Sequence, residues 1–192
     1  TRISAMLPIN PRGMWIGTFH GLCHRMLRAH YQDAGLPSTF QILDSADQLA
    51  MIKRILKNLS VDEKKFSPRQ VQWFINNAKE AGLRAAYVTV DDAFSRHMLE
   101  FYQVYEQQCQ KEGAVDFAEL LLRSFELLSR NEILCHHYRE RFQYILVDEF
   151  QDTNLVQYHL VRQIAARHQN LFVVGDDDQS IYRWRGAEVG NI

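Results

Sequence analysis

Tyr144-Ile145-Leu146-Val147-Asp148-Glu149 is a short apolar run that ends abruptly in two acids, and Leu171-Phe172-Val173-Val174-Gly175-Asp176-Asp177-Asp178 repeats the design further along. Runs this short, apolar on both faces and closed by polar residues, predict buried strands. Between them Val156, Leu160, Val161, Ile164 and Ala165 recur at helical spacing, so the segment reads strand, helix, strand. Two strands joined through a helix pair in parallel, because a tight hairpin is not available to them. The fold class is therefore α/β, built on an open parallel sheet.

Upstream, Met14-Trp15-Ile16-Gly17 predicts a further strand of the same sheet. From about residue 18 to 141 the punctuation is helical. Ser67-Pro68-Arg69-Gln70 has the form of a capping box with Pro at the first helical position, and Asp116-Phe117-Ala118-Glu119 is its acidic analogue. Gly35, Gly82 and Gly113 each come after a helical pattern, where a left-handed residue ends a helix. Leu49, Ile52, Ile55, Leu56 and Leu59 keep a helical period, as do Phe117, Leu120, Leu121, Phe125 and Leu128. Five or six helices and no strand are predicted in this block, which makes it a helical insertion into an α/β domain. No internal repeat or low-complexity stretch interrupts it.

With 22 Lys plus Arg against 23 Asp plus Glu, the net charge of -1 gives no whole-chain attraction to nucleic acid or acidic membranes, so any basic surface is local. A hydrophobic share of 46% with 23% charged residues excludes a disordered chain. Cys23, Cys109 and Cys135 are too few and odd in number for a disulfide framework, which points to a reducing compartment and the cytoplasm. No apolar run is long enough for a membrane helix, and Pro8 falls where a signal peptide would need its apolar core, so no membrane partner is expected. The chain opens on Thr1 and stops two residues after Gly190, and is expected to be a piece of a longer protein.

Ligands of an open parallel sheet sit beyond the carboxyl ends of its strands. Asp148 and Glu149 end the first strand there. Asp176 and Gln179 come after the second, beyond Gly175, which is read as permitting a sharp turn. An apolar strand ending in Asp-Glu suits a Mg²⁺ ligand beside a carboxylate that polarises water for attack on a γ-phosphate. The same acids could instead solvate a strand end or cap the helix that begins near Thr153. Tyr182-Arg183-Trp184-Arg185 interleaves aromatic and cationic groups, as a single-strand stacking platform does, although Trp184 could equally pack in a core. His20, Cys23 and His24, with Cys135, His136 and His137, supply enough N and S atoms for zinc, but their spacing fits no standard finger or ribbon.

Taken together, the residues from Ile145 to Asn154 and from Val174 to Ala187 resemble motifs II and III of superfamily 1 helicases, in the UvrD/Rep/PcrA group. Trp15-Ile16-Gly17-Thr18-Phe19-His20-Gly21-Leu22 is similar to that group's motif Ib, and Val115-Asp116-Phe117-Ala118-Glu119-Leu120-Leu121 to its segment before motif II. The resemblance runs over essentially the whole chain. It implies a partial RecA-like (P-loop NTPase) motor domain, called 1A, over residues 1–22 and 142–192, interrupted by a helical subdomain, 1B, over residues 23–141. It further implies ATP and Mg²⁺ as cofactors, with single-stranded DNA and single-/double-strand junctions as partners beside repair proteins. The activity implied is 3′-to-5′ translocation and unwinding in repair and replication, in the bacterial cytoplasm at the nucleoid. By matching position, Asp148 holds Mg²⁺, Glu149 activates water, and Gln179 senses the γ-phosphate. Tyr182 and Trp184 stack on bases, Arg185 joins the coupling network, and Thr18, Phe19 and His20 touch the strand.

The sequence contains no Gly-Lys-Thr/Ser phosphate loop, and it lacks the later motifs that supply a transition-state arginine. The 192 residues alone are therefore expected to be inactive, the ATP hydrolase being the full-length protein. A helicase-nuclease subunit of the RecB/AddA type is an alternative within the same superfamily. A catalytically dead DNA-binding or docking module is another, against which the intact Asp148-Glu149 and Gln179 speak.

Overall fold

The computed structural model describes residues 13–176. Seven α-helices and four short strands succeed one another there: α1 (Phe19–Ala29), β1 (Gln41–Leu43), α2 (Ser45–Asn58), α3 (Pro68–Glu80), α4 (Ala93–Glu112), β2 (Ala114–Asp116), α5 (Phe117–Arg130), α6 (Glu132–Arg141), β3 (Ile145–Val147), α7 (Leu155–Ala165) and β4 (Leu171–Val173). Every helix starts on a side-chain oxygen that accepts from an otherwise orphaned N–H, from Thr18 at α1 to Asn154 at α7. Ser67 and Gln70 close the expected reciprocal box, with Pro68 in the first turn. At α5 only half of the expected box forms. Asp116 accepts from the Glu119 N–H at 2.7 Å, while the Glu119 side chain turns inward to a set of cations. Gly113 ends α4 in the left-handed region (φ 62°), and a Cβ there would lie 2.7 Å from Pro37 Cγ, so both backbone and space demand glycine.

The architecture is mostly helical with two small parallel sheets, in keeping with a partial RecA-like motor domain carrying an inserted helical subdomain. β3 and β4 pair in parallel, with Ile145 opposite Leu171 and Val147 opposite Val173, and α7 is the connection, as the sequence predicts; the burial expected of both strands is met only at Val147, since α7 and its cluster cover one face alone among the described residues. A second parallel pair lies inside the helical block, where the sequence predicts no strand: β1 and β2 align Gln41 with Ala114 and Leu43 with Asp116. At Met14 to Gly17 the expected strand is absent; the chain runs directly into α1. Trp15 gains its stability from side-chain packing, with edge-on contacts to Tyr138 and Phe142 and the Arg25 guanidinium 4.3 Å over its ring.

Two hydrophobic clusters carry most of the burial. One joins α1, α5, α6 and α7 through Leu27, Phe40, Leu121, Leu128, Cys135 and Leu160; the other joins α2, α3 and α4 through Ile52, Leu56, Ile75, Tyr102 and Tyr105. Each of the fully buried Leu or Ile side chains contributes about 1.5 to 3 kcal/mol relative to exposure. A third, small cluster of Val147, Phe150 and Val161 sits under β3. Two residues of the predicted apolar stripes lie outside the core: Leu59 is 46% exposed at the end of α2, and Phe117 is 48% exposed at the start of α5. Both are at helix termini, where the stripe runs past the surface it packs on.

An ionic network is buried where α3, β2 and α5 meet. Lys79, 1% exposed, donates to Asp116 at 2.7 Å and lies 2.9 Å from Glu119. Asp116 also accepts from the Tyr105 hydroxyl at 2.8 Å and from Gln48 at 3.2 Å. Arg84 and Arg123 reach Glu119 at 2.8 and 2.7 Å, and Arg84 forks onto Glu126. Burial alone would raise the Glu119 carboxyl, yet Lys79, Arg84 and Arg123 hold it below the ordinary carboxylate range. Burial would likewise lower Lys79, but Asp116 and Glu119 hold its ammonium above the ordinary value. Charges taken out of water cost several kcal/mol each unless saturated with partners, and these are. Among the described residues no helix is long and apolar enough to cross a membrane.

Candidate active site

β3 delivers Asp148 and Glu149 beyond its carboxyl end, and both are exposed. Asp148 accepts from the Glu149 N–H at 3.0 Å, and neither acid forms an ion pair among the described residues. Nor do they cap α7, because Asn154 and Gln157 close a capping box of their own there. Glu149 has φ 51°, a left-handed backbone that costs a non-glycine residue about 1 to 2 kcal/mol. A 3-10 turn over Phe150–Asp152 holds the strain, with the Thr153 hydroxyl donating to Phe150 O at 2.7 Å. The Phe150 N–H donates across to Val174 O at 2.9 Å.

The end of β4 packs directly on this turn. Gly175 is needed there for space: a Cβ would lie 2.5 Å from Gln151 Oε1 and 3.3 Å from Gln151 N. Its φ lies outside the left-handed range that Gly35, Gly82 and Gly113 occupy. Gln151, 1% exposed, is a residue that sequence reasoning does not single out. Its Nε2 donates to Glu149 Oε2 at 2.6 Å, and its Oε1 accepts from the Asp176 N–H at 3.0 Å.

Asp148 and Glu149 share one cleft of about 520 Å³ with Thr18, Phe19 and His20. Residues far apart in sequence are thereby brought to one edge. Within it, the Thr18 hydroxyl oxygen caps α1 by accepting from the Gly21 N–H at 3.2 Å, Phe19 packs on two of the hydrophobic clusters, and the His20 ring stands edge-on to Phe117 at 5.8 Å. Asp152 and Trp15 also line the cleft, and Asp152 Oδ1 and Trp15 Nε1 are buried without a hydrogen-bond partner among the described residues. The donor set at the β3 edge is all carboxylate oxygen, the chemistry a hard divalent cation selects. Gln179, Tyr182, Trp184 and Arg185 lie outside the described residues.

The cysteine and histidine groups are placed differently. Cys23 and Cys135 are both buried in the first hydrophobic cluster, and burial pushes the Cys23 thiol up to about 11. His24 accepts from Arg28 Nε at 2.9 Å, and His136 lies 3.0 Å from Arg167. No three His, Cys, Asp or Glu side chains converge as a metal cage among the described residues.

All 192 residues match the family model described as the UvrD/REP helicase N-terminal domain. The chain is 51% identical over its whole length to DNA helicase II of Escherichia coli, covering 27% of that protein. It is 52% identical over 94% of its length to DNA helicase II of Haemophilus influenzae, covering 25%, and 42% identical over its whole length to the ATP-dependent DNA helicase PcrA of Bacillus subtilis, covering 26%. It thus spans about a quarter of the length of these relatives. On a match that runs from the first residue to the last, and on a parallel strand pair that carries Asp-Glu at its carboxyl edge, the chain belongs to the UvrD/REP helicase N-terminal domain family.

Proposed function

We propose that the full-length protein is an ATP-dependent DNA helicase that moves 3′ to 5′ on single-stranded DNA and opens duplex in repair and replication, with residues 23–141 forming the 1B insertion in motor domain 1A. The observation that carries the reading is the state of Asp148 and Glu149: exposed at the edge of a parallel sheet, engaged by no cation among the described residues and not needed as a helix cap. The named activities of DNA helicase II and PcrA support the choice of nucleic acid over other substrates of the fold. Asp148 is the residue that would hold Mg²⁺, a cation that neutralises developing charge on transferring phosphates when bound.

Glu149 is suited to the water. Its carboxylate is oriented through one oxygen by Gln151, which leaves the other to accept a proton from a nucleophile. That Thr18, Phe19 and His20 line the same cleft as Asp148 and Glu149 supports the reading in which they would touch the DNA strand. Gln179 lies beyond β4 in sequence and would reach the γ-phosphate, with Tyr182, Trp184 and Arg185 continuing toward the bases.

The test is a pair of variants of the full-length protein. Glu149→Gln keeps shape and hydrogen bonding but removes the base, so turnover falls on the order of 10² to 10⁴ while ATP still binds. Asp148→Asn weakens a hard-cation ligand, so its defect includes a raised Mg²⁺ requirement. Equilibrium nucleotide binding and steady-state hydrolysis against Mg²⁺ concentration separate the two, and a Glu149→Gln protein that hydrolyses near the wild-type rate removes Glu149 as the base.

A further inference from the structure

The carboxamide of Gln151 bridges the carboxyl ends of β3 and β4. It is 1% exposed, so water cannot stand in for either of its partners. Its Nε2 donates to Glu149 Oε2 at 2.6 Å and its Oε1 accepts from the Asp176 N–H at 3.0 Å. The carboxamide cannot rotate by half a turn without setting its oxygen against the Glu149 carboxylate and its NH₂ against a backbone N–H, so the two contacts fix its orientation together. Gly175 closes the remaining side, since any Cβ there would fall 2.5 Å from Gln151 Oε1. Glu149 itself stands on a left-handed backbone and is otherwise exposed.

We propose that Gln151 is a positioning residue: it holds the Glu149 carboxylate in its working rotamer and ties that rotamer to the position of the backbone at the end of β4. The inference rests on the reading of Glu149 as the base, and goes beyond it by naming what aims the base and what moves it. An exposed Glu samples several rotamers, and only one hydrogen-bonded to a buried, doubly anchored amide is preorganised. Because the second anchor is the Asp176 N–H, a displacement of the segment after β4 reaches Glu149 through one side chain.

The experiment uses the full-length protein, with ATP hydrolysis measured in the presence of single-stranded DNA. Gln151→Met retains bulk and burial but neither hydrogen bond, and is expected to lower kcat roughly 10- to 100-fold with the KM for ATP changed by less than about threefold, the pattern of a misaimed group rather than a lost binding contact. In a Glu149→Gln background the same substitution should change the residual rate by less than about twofold, because the group being aimed is gone. A role in packing alone predicts a lowered melting temperature with the kcat of folded molecules unchanged. That result, or an equal fold-loss in both backgrounds, overturns the proposal. If Gln151→Met does not fold, Gly175→Ala dislodges the carboxamide from its other side and is held to the same two criteria. A collapsed Glu149→Gln enzyme beside a fully active Gln151→Met enzyme sinks the positioning role and leaves the base in place, whereas a fully active Glu149→Gln enzyme removes both.

Discussion

β2 and β3 are alike at their carboxyl ends and differ in what surrounds them. Each is a three-residue strand in a parallel pair with an Asp at its carboxyl end: Asp116 is the last residue of β2, and Asp148 follows Val147 at the end of β3. Asp116 is 2% exposed and saturated by Lys79, Tyr105, Gln48 and the Glu119 N–H; Asp148 is exposed and, among the described residues, accepts only from its neighbour's N–H. The strands differ to match. β2 is buried at every residue, while Leu146 and Phe172 of the other sheet are 76% and 63% exposed. An acid at a strand end is thus buried among counter-charges in one sheet and, among the described residues, exposed without them in the other. The sequence pattern is the same in both cases.

The largest expected effect would break that contrast if it failed. Asp116→Ala leaves the Lys79 ammonium buried beside one fewer carboxylate, and should cost about 3 to 5 kcal/mol of unfolding free energy. Asp148→Ala, in an exposed position with a single local hydrogen bond, should change it by less than about 0.5 kcal/mol. Denaturant unfolding of the two variants decides, and a comparable loss at Asp148 would show that it too is structural.

Acid should then act on one region and spare the other. Glu119 is depressed in the folded state, so its contribution is fully present above the unfolded carboxyl value of about 4.3 and is lost as pH falls through the folded value. Lys79 is raised, so its contribution is complete below the unfolded value of about 10.4 and is lost as pH climbs through the folded one. The network is at full strength between those limits. We expect unfolding free energy to decline below about pH 4 and the decline to flatten in Glu119→Gln, because that variant lacks the carboxylate held below its ordinary range. An equally steep acid limb in the variant would place the sensitivity elsewhere.

The smallest effect sharpens the comparison by showing where the two regions agree. α3 and α7 open on the same reciprocal cap, Ser67 with Gln70 and Asn154 with Gln157. Ser67→Ala and Asn154→Ala should each lower stability by about 1 kcal/mol. A difference of more than about 1 kcal/mol between them in thermal melts would mean that local capping, as well as the fate of the acids, distinguishes the two regions.

How much is legible in the sequence depends on the range of the interaction. The βαβ unit, the Ser67 cap and the left-handed Gly35, Gly82 and Gly113 depend on residues close together in the chain, and all are present. β1 and β2 are invisible to pattern, because Gln41-Ile42-Leu43 and Ala114-Val115-Asp116 are too short to show alternation and find partners only across the intervening helices. Gly175 draws notice in the sequence as a turn residue, while the space it leaves for the Gln151 amide shows only in the structure. Gln151 sits inside motif II with no role that sequence can give it, because its importance depends on where the Asp176 N–H arrives in space. Trp15 reads as strand because an aromatic flanked by Met14 and Ile16 looks the same whether it pairs or packs. That Thr18, Phe19 and His20 share a cleft with Asp148 and Glu149 is signalled by motif resemblance alone, since no local rule joins them.

The two strand pairings also differ in the length of chain each must gather. β3 meets β4 across a stretch filled by a single helix, whereas Gln41 meets Ala114 only after α2, α3 and α4. Closing the longer loop costs about 1 kcal/mol more in chain entropy, and the cost falls due before the contacts that offset it exist. The β3–β4 pairing can therefore close early, while β1 waits until Ala114 to Asp116 have been made. The buried network around Asp116 then acts as a latch on the last joint to close, fastening the helical block once β2 has found its partner.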